Sequence, residues 1–186
     1  TNKQFLTFDR YEKYSLENAR FVFPFSSALR SNLINHYACK PEKVVAVGCG
    51  CGPLEAFQGS KRYDLPKFLF VAKHLFVEKG GELALNVFYR VRDSHPNATL
   101  TIIGNAEIKR MLKNVAGVTV HGFLELDELK NIFNDSNFLL EPMLGDPWGQ
   151  VFLEAMLCKL IVIGLNRGGL PEIVDNGELG FLANSA

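Results

Sequence analysis

No apolar run in these 186 residues approaches the ~18 that a helix needs to cross a bilayer, so no helical membrane span is expected in them. The opening Thr1-Asn2-Lys3-Gln4 shows neither the basic region nor the apolar stretch of a secretory leader. It also lacks an initiator Met, so residue 1 is not expected to be the natural start. Net charge of one sign is missing as well: 20 Lys and Arg balance 20 Asp and Glu. That argues against a nucleic-acid or anionic-membrane surface spread over the whole chain. Cys39, Cys49, Cys51 and Cys158 have no disulfide-framework spacing, which points to reduced thiols and a cytoplasmic location. Cys49 and Cys51 are one residue apart, not the two of a usual zinc pair, and no second pair exists. His36, His74, His95 and His121 are scattered, so no metal site is expected; His74, beside Lys73, is the one to watch. Internal repeats and low-complexity segments are absent too.

What is present is a hydrophobic content of 47%, enough for a full core in one good-sized domain, or in one domain plus a remnant. Residues 5–18 are polar and aromatic and partly helical in pattern. Ala19 to Phe25 reads as a short buried strand. Ser26 or Ser27 then caps a helix through Tyr37 with Leu29, Leu33, Ile34 and Tyr37 on one face. From about residue 42, apolar runs alternate with helical patterns: 43–47, 67–73, a run ending at Gly104, 118–121, 137–141 and 160–164. These runs lack period-two alternation, which indicates a parallel sheet covered by helices on both faces, a Rossmann-like α/β fold. A ligand then belongs outside the carboxyl ends of the strands. The loops 73–80, 104–107, 121–124, 141–149 and 165–170 all leave such ends.

One glycine-rich stretch competes for attention. Val47-Gly48-Cys49-Gly50-Cys51-Gly52-Pro53, following the expected strand 43–47, resembles motif I of S-adenosylmethionine-dependent methyltransferases. It half-matches a dinucleotide fingerprint, but Pro53 stands where the third Gly belongs. The helix it should open is short and is broken by 59–66. No acidic residue ends a clear second strand about 20 residues on.

The chain is organised around Leu140 to Glu154, the end of a buried strand, a tight loop and the first turns of a helix. At ~1.5 Å rise per residue, Asp146 and Glu154 lie roughly 12 Å apart along the axis, a span suited to opposite ends of an extended ligand. Pro147, Trp148 and Gly149 bring backbone N–H groups to the helix start, which attracts anions. A nucleotide-diphosphate sugar has the matching layout.

This segment, D-P-W-G-Q-V-F-L-E-A-M, resembles the E-x7-E segment of the family 4 retaining glycosyltransferases, with Asp146 in place of the usual first Glu. Three further segments follow the family's order and spacing: E-K-G at 78–80, G-F at 122–123 and G-G-L-P-E-I-V at 168–174. The resemblance spans about residues 66–182, and 16–65 more loosely. It implies the donor-binding half of a GT-B enzyme, with residues 1–40 a remnant of the N-terminal domain and crossing segment. Residues 41–186 would be the nucleotide-sugar domain, cut at its C-terminal end. The glycine-rich stretch would be the turn after that domain's first strand, and 175–182 its final hairpin-like segment.

The resemblance also implies roles. Asp146 contacts hydroxyls of the transferred sugar; Trp148, Gly149 and Gln150 offer backbone donors near sugar and phosphates; Glu154 holds the ribose. Lys79 and Lys73 neutralise the leaving diphosphate, although Lys73 stands where the family has an Arg, a point charge in place of a bidentate fork. Gly122 and Phe123 lie at the nucleobase edge, and Gly168 and Gly169 belong to the family's G-G-L-P-E-I-V turn. The family needs no metal or cofactor; the donor itself is the nucleotide-diphosphate sugar. The acceptor is a glycan, lipid or small molecule, and the missing N-terminal domain supplies most of its site and any peripheral membrane attachment. The methyltransferase and a catalytically silent nucleotide-binding module remain as alternative readings.

Overall fold

The computed structural model describes residues 2–144, 148–174 and 177–185. The chain forms two compact units, residues 1–49 and 50–186. The first unit contains α1 (Asn2–Asn18), α2 (Ser27–Asn35) and a short 3₁₀ turn, Pro41–Lys43. Ser26 caps α2, its side chain accepting from the Leu29 N–H. Leu33, Cys39 and Val44 form a small core. The expected strands 19–25 and 43–47 are reduced to one parallel bridge between Val22 and Val44. The reason is visible in 21–25: Phe21, Phe23 and Phe25 are all about half exposed, so this run does not bury as a strand would. With no strand before it and no helix after it, 48–53 lacks the strand–loop–helix context that a methyltransferase or dinucleotide loop requires.

In the second unit the sheet contains β1 (Lys67–Val71), β2 (Thr99–Ile103), β3 (Val118–His121), β4 (Phe138–Leu140), β5 (Ile161–Leu165) and β6 (Gly180–Ala183). Every pairing is parallel, and the order is β3-β2-β1-β4-β5-β6. The segment expected to be hairpin-like therefore ends instead in an edge strand parallel to β5. Parallel neighbours need a crossover, and five helices provide them: α3 (Gly81–Ser94), α4 (Ala106–Met111), α5 (Leu126–Asp135), α6 (Gln150–Leu157) and α7 (Leu170–Ile173).

The strands are short and apolar, and their alternate residues feed two cores. Phe68, Phe70, Leu100, Ile102 and Leu140 pack with Leu85 and Phe88 of α3 and Ile108 of α4. Leu69, Val71, Leu139 and Val162 pack on the other face with Phe133 of α5, Phe152 and Ala155 of α6, and Leu170 of α7. Helices thus cover both faces. The strand order reverses between β1 and β4, and this places the crevice for a ligand at their carboxyl ends.

The long segment before β1 has no regular structure and is held by polar ties. Lys61 Nζ donates to the carbonyls of Phe133 (2.9 Å), Asn134 (2.6 Å) and Ser136 (2.6 Å), at the C-terminal end of α5. A cation there faces the negative end of the helix and satisfies carbonyls the helix leaves open. Asn137 Nδ2 donates to the carbonyls of Arg62 and Leu65. Lys61→Met should cost roughly 1–3 kcal/mol of stability, because charge-assisted bonds are lost and carbonyls are left open. Urea denaturation of both chains measures it.

Candidate functional site

A cleft of about 800 Å³ opens at the carboxyl ends of β1, β2 and β3. Its walls include Lys73 and His74 from the loop after β1, Asn105 and Lys109 around the start of α4, and Gly122 and Phe123 after β3; Glu154 of α6 also lines it. The sheet explains the convergence: parallel strands put all their exit loops on one edge.

Each wall follows from local sequence. Lys73 leaves β1 with φ 53°, a left-handed turn that takes the chain out of the sheet. Gly80 has φ 84° and caps α3. A Cβ there would meet Pro142 Cβ at 2.9 Å, so only glycine lets the loop after β1 dock on the loop after β4. The Met143 N–H donates to the Lys79 carbonyl at 3.0 Å and joins the same two loops. Asn105 caps α4, accepting from the N–H groups of Glu107 and Ile108. Phe123 is 90% exposed, so its ring has no place in the core.

Glu154 is a partly buried acid of the cleft. Burial pushes its carboxyl above the ordinary value, while the charges of Lys73 and Lys79 pull it partly back. The glycine-rich stretch lies against it: a Cβ on Gly52 would stand 2.6 Å from Glu154 Oε1 and 3.2 Å from Gln150 Nε2. Gln150 Nε2 also donates to the Gly50 carbonyl at 3.4 Å. Gly50 and Gly52 therefore build the surroundings of Glu154 and are not a turn after a strand.

Lys79 is only 6% exposed and is held inside the fold. Its ammonium donates to the Val71 carbonyl at 2.8 Å and pairs with Glu141 Oε1 at 3.3 Å. Glu141, directly after β4, is fully buried, and its other oxygen accepts from the Val71 N–H at 2.9 Å. The pair bridges the ends of β1 and β4 at the point where the strand order reverses.

The structure thus brings Lys73, Gly122, Phe123 and Glu154 into one cleft, with Lys79 close beneath it. Gly149 is the N-cap of α6, with φ 73°, and among the described residues no side chain caps that helix end. Trp148 is half-buried before it, and Gln150 opens the helix. Gly168 (φ 60°) and Gly169, the N-cap of α7, leave β5 at the same sheet edge but are not among the residues lining this cleft. Asp146 lies outside the described residues. Sequence reasoning missed Asn105, Lys109, Glu141 and the contact of Gly52. Asn105 carried a signal, a capping residue just past the glycine that ends an apolar run. Glu141 carried another, a carboxylate at the end of a run too apolar for it.

Family relationship follows from residues 65–186, which match the model described as "Glycosyl transferases group 1". The chain belongs to the group 1 glycosyl transferases. It is 25% identical over 173 residues to the gpi3 subunit of the phosphatidylinositol N-acetylglucosaminyltransferase of Schizosaccharomyces pombe, covering 88% of this chain and 38% of that protein. It thus spans well under half the length of that relative. Among solved structures, the pneumococcal O-GlcNAc transferase GtfA, in complex with UDP and GlcNAc, superposes with a TM-score of 0.73 at 18% identity, over 95% of this chain and 36% of that one. Anabaena HepE, in complex with UDP and glucose, superposes with a TM-score of 0.67 at 18% identity, over 90% and 50%. These similarities show the fold, the Rossmann-like half of a GT-B glycosyltransferase. Nothing among them supports a methyltransferase.

Among the described residues, no group of three or more His, Cys, Asp or Glu is placed to hold a metal ion. No described helix is long and apolar enough to cross a membrane.

Proposed function

We propose that this chain is the donor-binding domain of a retaining glycosyltransferase that moves a hexose-type sugar from a nucleotide-diphosphate donor to an acceptor hydroxyl. The observation that carries the reading is the cleft at the carboxyl ends of β1–β3. It holds an acid raised by burial, Glu154, together with the cationic side chains Lys73 and Lys109 and an exposed aromatic ring, Phe123. Ribose hydroxyls suit the carboxylate, phosphates suit the lysines, and a base suits the ring and backbone at 122–123. The UDP bound by GtfA and by HepE makes a uridine donor the first to try.

In this reading Lys73, Lys79 and the N-terminus of α6 stabilise the diphosphate as it leaves, where charge develops in the transition state. Asp146 contacts the transferred sugar. Cationic side chains replace a metal in this scheme, and the sugar keeps its anomeric configuration. Residues 1–40 belong to the end of an N-terminal domain that completes the acceptor site. The enzyme works in the cytoplasm, with any membrane contact made through that other domain.

The chain on its own should bind a nucleoside diphosphate weakly and transfer no sugar. The strand-end loops present here are enough to bind the donor. Transfer also needs an ordered acceptor and exclusion of water, which account for much of the rate. A thermal-shift panel of UDP-, GDP-, ADP- and dTDP-sugars reads the binding, since a ligand at 100 times its Kd stabilises by about 2.7 kcal/mol. Incubation with labelled donors and a range of acceptors reads the transfer. No shift with any nucleotide would overturn the donor-domain reading, and robust product would overturn the half-enzyme reading.

A further inference from the structure

The Lys79–Glu141 pair raises a problem for the proposed site, on whose reading this inference rests. A lysine meant for a diphosphate should present its ammonium to the cleft. Here the ammonium is turned into the fold, between the Val71 carbonyl and Glu141 Oε1. It is nonetheless near the cleft: Val71 lines the cleft, and the charge of Lys79 is felt at Glu154.

We propose that Glu141 is an internal counter-ion that competes with the donor's diphosphate for Lys79, and so sets the affinity of the phosphate site. In the resting chain the carboxylate holds the ammonium. When a diphosphate arrives, the lysine exchanges one anion for another, swinging on its four-carbon stem from the Glu141 oxygen to a phosphate oxygen. Three features suit the exchange. The ion pair is 3.3 Å long, beyond the 2.7–2.9 Å of a tight charge-assisted bond. Glu141 keeps a second partner when the lysine leaves, because its other oxygen accepts from the Val71 N–H at 2.9 Å. The backbone of residue 79 stays fixed during the swing, since the Met143 N–H binds its carbonyl and Gly80 is packed against Pro142. Only the side chain has to move. A buried carboxylate left without its cation is unfavourable, and this cost subtracts from the diphosphate's binding. Glu141 is thus a positioning residue that touches no substrate.

The test replaces the charge and keeps the shape. Glu141→Gln still offers an oxygen to the Val71 N–H and no longer competes as an anion. The probes are inorganic pyrophosphate, which needs no knowledge of the base, together with UDP and uridine, titrated calorimetrically into the wild-type chain and the variant. The expected result is roughly ten-fold tighter pyrophosphate and UDP binding, with uridine unchanged. In a Lys79→Met background the same Glu141 change should have no effect on pyrophosphate. Equal or weaker affinity of Glu141→Gln for pyrophosphate would overturn the inference while leaving the donor site standing. Failure of both chains to bind pyrophosphate and UDP would remove the donor site, and the inference with it. Should the variant not fold, the wild-type chain still decides. The side-chain ammonium resonance of Lys79 must shift on saturation with a ligand that is bound, and an unmoved resonance overturns the exchange.

Discussion

Gly149→Ala is expected to lower stability by roughly 2–5 kcal/mol. Two independent costs combine. Gly149 has φ 73°, a region that an L side chain enters at roughly 1–2 kcal/mol. Its added Cβ would also stand 2.5 Å from Met143 Cε and 2.6 Å from Phe152 Cε2. Phe152 is fully buried and Met143 nearly so, so neither side chain moves aside freely. Overpacking of this kind costs a further ~1–3 kcal/mol. Chemical denaturation gives the difference directly. A loss under 1 kcal/mol would mean that the entry to α6 relaxes, and that the N-terminus of this helix is not rigidly aimed.

Glu154→Ala should weaken nucleotide binding by about 1–3 kcal/mol, the worth of a charge-assisted hydrogen bond to a ribose hydroxyl. Its effect on stability should be small or favourable at neutral pH. Burial raises the pKa of Glu154 in the folded chain, so the folded state holds this proton more tightly than the unfolded one. Between the ordinary carboxyl value and the raised one, folding is therefore favoured as pH falls and disfavoured as pH rises through that window. Above it, the ionised group is a standing cost that alanine or glutamine removes. Binding runs the opposite way with pH, because the ionised carboxylate is the better acceptor for hydroxyls. Calorimetric titrations and thermal melts of wild type and Glu154→Gln across the acidic range check both signs. Unchanged affinity would take Glu154 out of the site.

Much of this was legible in the sequence, and the physical reasons are specific. The runs 67–73 and 137–141 are apolar on both faces of the backbone at their centres, as a doubly covered strand permits, and they appear as β1 and β4 with bounds shifted by at most two residues. Since all the strands are parallel, their exit loops had to share one edge. The failures lie where apolar content misled. Residues 19–25 and 43–47 have the composition of strands, but Phe21, Phe23 and Phe25 stay half exposed, and a strand forms only with a partner over several residues. Polar contacts between distant residues were invisible for a different reason. Glu141 and Val71 are 70 residues apart, and so are Lys61 and Asn134 to within three; no local pattern records such pairs.

The reversal of strand order has a consequence for how the domain assembles. Within each half of the sheet, partners are near in the chain: Leu100 with Val118, Val162 with Gly180, Phe138 with Ile161. The halves meet only through β1 and β4, where Phe68 pairs with Phe138 and Leu69 with Leu139. This seam closes the longest loop in the sheet for the fewest paired residues, so chain entropy resists it most. The Glu141 carboxylate on the Val71 N–H and the Met143 N–H on the Lys79 carbonyl lie just beyond its end and act as its last clasps. Lys79 hangs on those clasps, so in the proposed reading its place beneath the cleft is set only when the two halves of the sheet have joined.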